Sequence, residues 1–161
     1  MKRLLVLAVL AAVGVMASVG GAQSAAKSRS VSVGVPLTSI NGSGVRGLAY
    51  FQQRGLTLRY WVVIFGLDPN SAHAAHIHGP KGACTPTSAN KGVAVPFPDF
   101  KADSNGVAYK SGSISLKQAP ASVRQPLRKG FYFNVHLYPT TELQSKGLEA
   151  ITCGNIQPAT T

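Results

Sequence analysis

Short runs in which apolar residues recur at every second position, each closed by a turn signal, constrain this chain more than any other feature. Val31, Val33 and Val35 alternate with small or polar residues, and Phe131, Phe133, Val135 and Leu137 alternate with Tyr132, Asn134, His136 and Tyr138. A period of two places successive side chains on opposite faces of a strand, so these runs read as β-strands rather than helices. Asn41-Gly42-Ser43-Gly44 and Gly66-Leu67-Asp68-Pro69-Asn70 punctuate them. The same reading places strands over 45–51, 56–65, 74–78, 107–116 and 149–156, with a short edge strand over 93–97, where proline is tolerated. A helical turn is expected within 119–129. The run 56–65 is dense in β-branched and aromatic residues and reads as a strand buried on both faces, with Tyr60, Trp61 and Phe65 assigned by default to the core. Several short strands, no long amphipathic helix and no internal repeat indicate an all-β sandwich or barrel.

The N-terminus has a different character. Lys2 and Arg3 precede an uncharged apolar run from Leu4 to Met16, and small residues lead to Gly20-Gly21-Ala22 before Gln23. That order is the pattern of a secretory signal peptide over 1–22, cleaved after Ala22. The run is shorter than the ~20 residues a spanning helix needs, so no transmembrane segment is expected in the mature chain. Residues 23–30 are small and polar and read as a flexible lead-in. Residues 31–161 then form one domain with a modest core. The expected destination is outside the cytoplasm: periplasm, cell envelope or secretion.

The formal net charge is +11, and losing Lys2 and Arg3 leaves about +9. Such a surface attracts anions. The basic residues are scattered from Lys27 to Lys146, however, and along the sequence they do not interleave with aromatic residues as a stacking platform would, so nucleic acid is not expected as a partner. The sequence leaves the oligomeric state open. Two cysteines, Cys84 and Cys153, remain. In an exported chain an even pair reads as a disulfide; a two-thiolate metal site is the competing idea, but no CxxC spacing supports it.

Histidine placement carries the chemical information. Residues two apart in a strand share a face with Cα atoms about 6.6 Å apart, so His76 and His78 can aim both imidazoles at one ion while Ile77 turns into the core. His136, on a patterned strand remote in sequence, could supply a third. Imidazoles suit copper, zinc, iron or nickel, and three of them leave a coordination position open. A lone histidine is better read as a hydrogen-bonded residue; His-Ile-His together with His136 shifts the balance toward a ligand set. His73 lies three positions before His76, so in a regular strand it faces away. It is left outside the ligand set, as a surface residue or a contact behind the ligands.

The segment His73-Ala74-Ala75-His76-Ile77-His78-Gly79, followed by Cys84, resembles the copper/zinc superoxide dismutase segment in which two copper-ligating histidines precede a disulfide cysteine. Phe133-Asn134-Val135-His136 is similar to the later strand that supplies another copper histidine. Ala150-Ile151-Thr152-Cys153-Gly154-Asn155-Ile156 is similar to that family's C-terminal strand. The resemblance implies a Greek-key β-barrel, a Cys84–Cys153 disulfide and one copper ion on His76, His78 and His136. It also has departures. The bridging histidine and the histidines of the zinc loop are missing, and Asp99 and Asp103 alone do not make that zinc site, so zinc is not expected. The family's guiding arginine stands three residues before the second cysteine, where this chain has Ala150.

His76-Ile77-His78-Gly79-Pro80 and Asn134-Val135-His136 are also similar to the CHRD domain, a β-sandwich of secreted proteins in which metal catalysis is not the expected role. Three functions follow: a copper-dependent superoxide dismutase of reduced activity, a copper-binding or buffering protein without turnover, and a metal-free interaction domain of CHRD type.

Overall fold

The period-two pattern becomes ten strands in the computed structural model, which describes residues 30–85 and 92–157; the expected signal peptide and all of the lead-in but Ser30 lie outside the described residues. In chain order the strands are β1 (Ser30–Ser39), β2 (Arg46–Arg54), β3 (Thr57–Phe65), β4 (Ala72–His73) and β5 (Ala75–His78), then β6 (Val93–Pro96), β7 (Phe100–Lys101), β8 (Ala108–Ser115), β9 (Phe131–His136) and β10 (Ala150–Ile156). A 3-10 turn, Ala121–Val123, and one turn of helix, α1 (Leu143–Lys146), are the helical elements among the described residues.

Eight strands form one antiparallel sheet in the order β6-β5-β9-β10-β1-β2-β3-β8. It curls at β1, where Ser30 to Leu37 pair with β2 while Thr38 and Ser39 pair with Cys153 and Thr152 of β10. The curl yields two layers, β1-β2-β3-β8 and β6-β5-β9-β10, and the chain crosses between them from β3 to β5 and from β8 to β9. This is the expected all-β Greek-key sandwich, closed into a half-barrel. Phe51 of one layer meets Phe133 of the other at 5.3 Å between ring centres, and Phe97 packs edge-on to both Tyr60 (5.0 Å) and Phe133 (5.2 Å). Edge-to-face rings at such distances gain about 0.5–1.5 kcal/mol beyond the area they bury.

One burial expectation is corrected. β3 is not buried on both faces: Leu58, Tyr60, Val62 and Ile64 point inward, whereas Trp61 and Phe65 are 39 % and 49 % exposed. The second layer covers one face of the β1-β2-β3-β8 sheet, so a residue's parity decides its fate whatever its hydrophobicity. The strands buried throughout are β5 and β9. Phe131, Phe133 and Val135 join the main core, while Tyr132 packs with Ile40, Ala150 and Cys153 on the other face. The Cys84–Cys153 disulfide, with Cα atoms 5.6 Å apart, ties the segment after β5 to β10. Gly154 permits a close approach of β10 to β1, because a Cβ there would stand 2.2 Å from the Pro36 carbonyl oxygen.

Candidate metal centre

β5 and β9 are neighbours in the sheet, with His76 in register with Asn134 and His78 with Tyr132. Same-face parity then does the rest. His76 and His78 flank Ile77, which is buried in the core, and His136 lies two residues beyond Asn134 on the same face of β9. Ring centres are 5.6 Å apart for His76 and His78, 5.1 Å for His76 and His136, and 6.2 Å for His78 and His136. One nitrogen from each ring lies within 4.8 Å of the others, and all three residues are buried. Two nitrogens each about 2.1 Å from a tetrahedral ion stand about 3.4 Å apart, so closing the group on one ion needs only small side-chain rotations.

Hydrogen bonds fix the rings. Nδ1–H of His136 donates to the Leu148 carbonyl at 3.1 Å, because a carbonyl can only accept. Nε2 therefore keeps its lone pair, toward which the Asn134 amide is directed at 3.3 Å. The main-chain N–H of His136 donates to Ala74 at 2.8 Å, fastening the β4–β5 junction to the end of β9. His78 stacks on Tyr132 at 5.1 Å and an 11° interplanar angle. Nδ1 of His76 and Oδ1 of Asn134 are buried with no hydrogen-bond partner. Orphaned buried polar atoms are costly, and two of them beside three imidazoles fit a group that takes up a cation.

Electrostatics agree with that role. Burial pulls His76 down to about 4; the neighbouring His136 and His78 add to the shift and Asp99 opposes it. Burial also lowers His136, against the pull of its hydrogen bond to Leu148. At neutral pH these rings present lone pairs rather than positive charges, as metal ligands must. Burial pushes Tyr132 up to about 12.

The remaining site expectations have definite positions. His73 is neither a surface residue nor part of the three-ring group. It is buried in β4, where Nδ1–H donates to the His136 carbonyl at 2.9 Å and Nε2 meets the Ser71 hydroxyl at 2.6 Å. It thus braces the backbone behind His136. Asp99 accepts from the Thr140 amide and hydroxyl, and Asp103 from the amides of Asn105 and Val107, so both carboxylates hold turns together. Ala150, at the position of the guiding arginine in the dismutase pattern, is buried and in register with His136. Sequence reading gave Asn134 no role. Its polar side chain in a strand otherwise destined for burial was the available signal.

These features define an all-β, disulfide-linked Greek-key domain with a buried three-histidine group that could hold a metal ion. The family model for the CHRD domain matches residues 23–144, and the chain belongs to that family. The match includes all four histidines and ends before β10. Of the two resemblances, it establishes the CHRD one. No curated protein matches the chain.

Proposed function

We propose that this CHRD-family chain is an exported copper-binding protein in which His76, His78 and His136 hold one copper ion. The observation that carries the reading is the convergence of three buried imidazoles, one with an unpartnered Nδ1, from two strands paired only by the fold. The disulfide fits an oxidising compartment. Copper is chosen over zinc because the two histidine segments resemble those that hold copper in the superoxide dismutases, while the histidines of that family's zinc loop are missing; the three-imidazole set itself suits either ion. Bound copper would supply one-electron chemistry, taking an electron from one superoxide and passing one to the next.

The protein's own residues do the positioning. Leu148 sets the tautomer of His136, His73 braces its backbone, and Tyr132 holds the plane of His78. The positive surface draws anions toward the protein, an effect that weakens as salt rises. Superoxide turnover is expected to be slow, because a methyl group faces His136 where a guiding guanidinium would stand and no bridging imidazole relays protons, which must come from water. Ala150 therefore favours the second reading, copper holding without turnover.

One experiment separates the readings. The mature protein is loaded with copper and dialysed, bound metal is measured, and superoxide loss is compared with His78→Ala. Retained copper with histidine-dependent turnover supports a dismutase; retained copper without turnover supports a buffering protein. Loss of all copper on dialysis rejects the metal reading and leaves a CHRD-type interaction domain.

A further inference from the structure

The outer face of the β1-β2-β3-β8 layer carries a group of exposed aromatic side chains that the metal centre does not use. Tyr50 and Trp61 are cross-strand partners with rings 5.7 Å apart, 42 % and 39 % exposed, and Tyr109 on β8 is 67 % exposed. Grouped exposed rings of this kind mark interaction sites. Gly34, in register with Tyr50, leaves the space beside that residue open.

The charge on this face has one sign. Arg46 pairs across the strands with Phe65, Gln52 with Arg59, and Arg54 with Thr57, and all three arginines are exposed. No outward-facing position of β1, β2, β3 or β8 is Asp or Glu. Basic and aromatic residues scattered along the sequence are therefore interleaved in space by strand pairing. The rows beside them are polar and small: Ser111 is opposite Trp61 and Ser113 opposite Arg59.

We propose that this face binds an anionic polysaccharide. Sugar rings have apolar C–H faces that lie against Tyr50 and Trp61 and hydroxyl rims that suit Gln52 and the serines. Their carboxylate or sulfate groups match the guanidinium forks of Arg46, Arg54 and Arg59. A second copy of the chain is disfavoured, because a two-fold contact would bring both sets of arginines together with no acid to pair them. A bilayer is disfavoured because the exposed apolar side chains, Leu48 and Phe65 among them, lie on the strands between arginines and serines rather than at the tip of a protruding apolar loop. Single-stranded nucleic acid has suitable rings and phosphates, but the disulfide and the CHRD family fit a chain working where charged polysaccharide is the more available polyanion.

Trp61 is the only tryptophan, so its fluorescence reports directly from the proposed face. The probe is heparin, titrated into the intact mature protein with neutral dextran, oligo(dT) and phosphatidylglycerol vesicles as comparisons. The expected result is a saturable fluorescence change with heparin, weakening as salt rises and absent with dextran. By calorimetry, Arg59→Ala and Trp61→Ala should each weaken heparin binding about tenfold, with melting temperatures near wild type. Trp61→Phe should retain most of the affinity, and Lys146→Ala, remote from this face, should change it less than about twofold. If Lys146→Ala and Arg59→Ala weaken binding equally, diffuse charge explains it and the proposal falls. Tighter binding to oligo(dT) or to vesicles overturns it, as does self-association without polymer that Arg59→Ala leaves intact and Trp61→Phe abolishes. Trp61→Phe and Arg59→Ala decide the matter should Trp61→Ala fail to fold.

Discussion

The side-chain amide of Asn134 sits 3.3 Å from Nε2 of His136, while its own Oδ1 is buried without a partner. A well-packed apolar side chain would cost less here, so the amide carries a burial penalty beside the imidazoles. Asn134→Ala removes a donor that competes with copper for the Nε2 lone pair of His136, so it is expected to raise copper affinity, by up to about tenfold. It should leave the metal-free protein folded. Competition titration against a copper chelator, with melting curves in chelator, measures both. Unchanged affinity would remove Asn134 from the centre.

Acid should weaken the metal-free protein through the same cluster. His76 is held at about 4, below its ordinary 6.5. Between those values the unfolded chain carries a proton on this ring that the folded chain lacks. Its contribution to stability is therefore whole above about pH 6.5, declines as pH falls and is spent below about 4. The lowered His136 acts in the same direction. Urea midpoints in chelator at pH 7.5, 6 and 5 should fall in that order, and His76→Asn should flatten the slope. Identical profiles for the variant and the parent would contradict this.

The disulfide closes a loop spanning 69 positions, which in the chain-entropy model is worth about 4 kcal/mol. Cys153 also stands opposite Asn134 in the sheet. Cys84→Ser with Cys153→Ala should lower the denaturant midpoint by an amount of that order and loosen copper binding. A double variant as stable as the parent would show that the bond is not a main source of stability.

Gly154 tests the packing of the two layers. Any side chain there meets the Pro36 carbonyl, so Gly154→Ala should destabilise by about 1–3 kcal/mol. Gly34→Ala, which enters open space, provides the comparison and should be close to neutral. Equal denaturant midpoints for the two variants would refute the close approach.

Bracing of His136 from behind can be tested at His73. Removing its hydrogen bond to the His136 carbonyl with His73→Phe should cost stability and lower copper affinity, with the metal stoichiometry still one per chain. A stoichiometry that falls to a fraction would instead identify His73 as a ligand.

Much of this molecule was legible in the amino-acid order, because strand parity is a local property. The alternation in 31–35 and 131–137 fixed strands and core faces, and the single residue between His76 and His78 was enough to put both rings on one side. Parity says nothing about what lies above a face. It could not tell that Trp61 and Phe65 would face outward from a layer whose outer face no other described residues cover, while Tyr132 and Asn134 would be buried beneath covering chain. Nor could it bring His136 beside His76, put the His73 ring behind the His136 carbonyl, or set Arg59 next to Trp61 in one surface with Tyr50. Those relations depend on which strands pair and in what register. Only the assembled sheet decides that, because the hydrogen bonds and buried rings that select the pairing come from residues far apart in the chain.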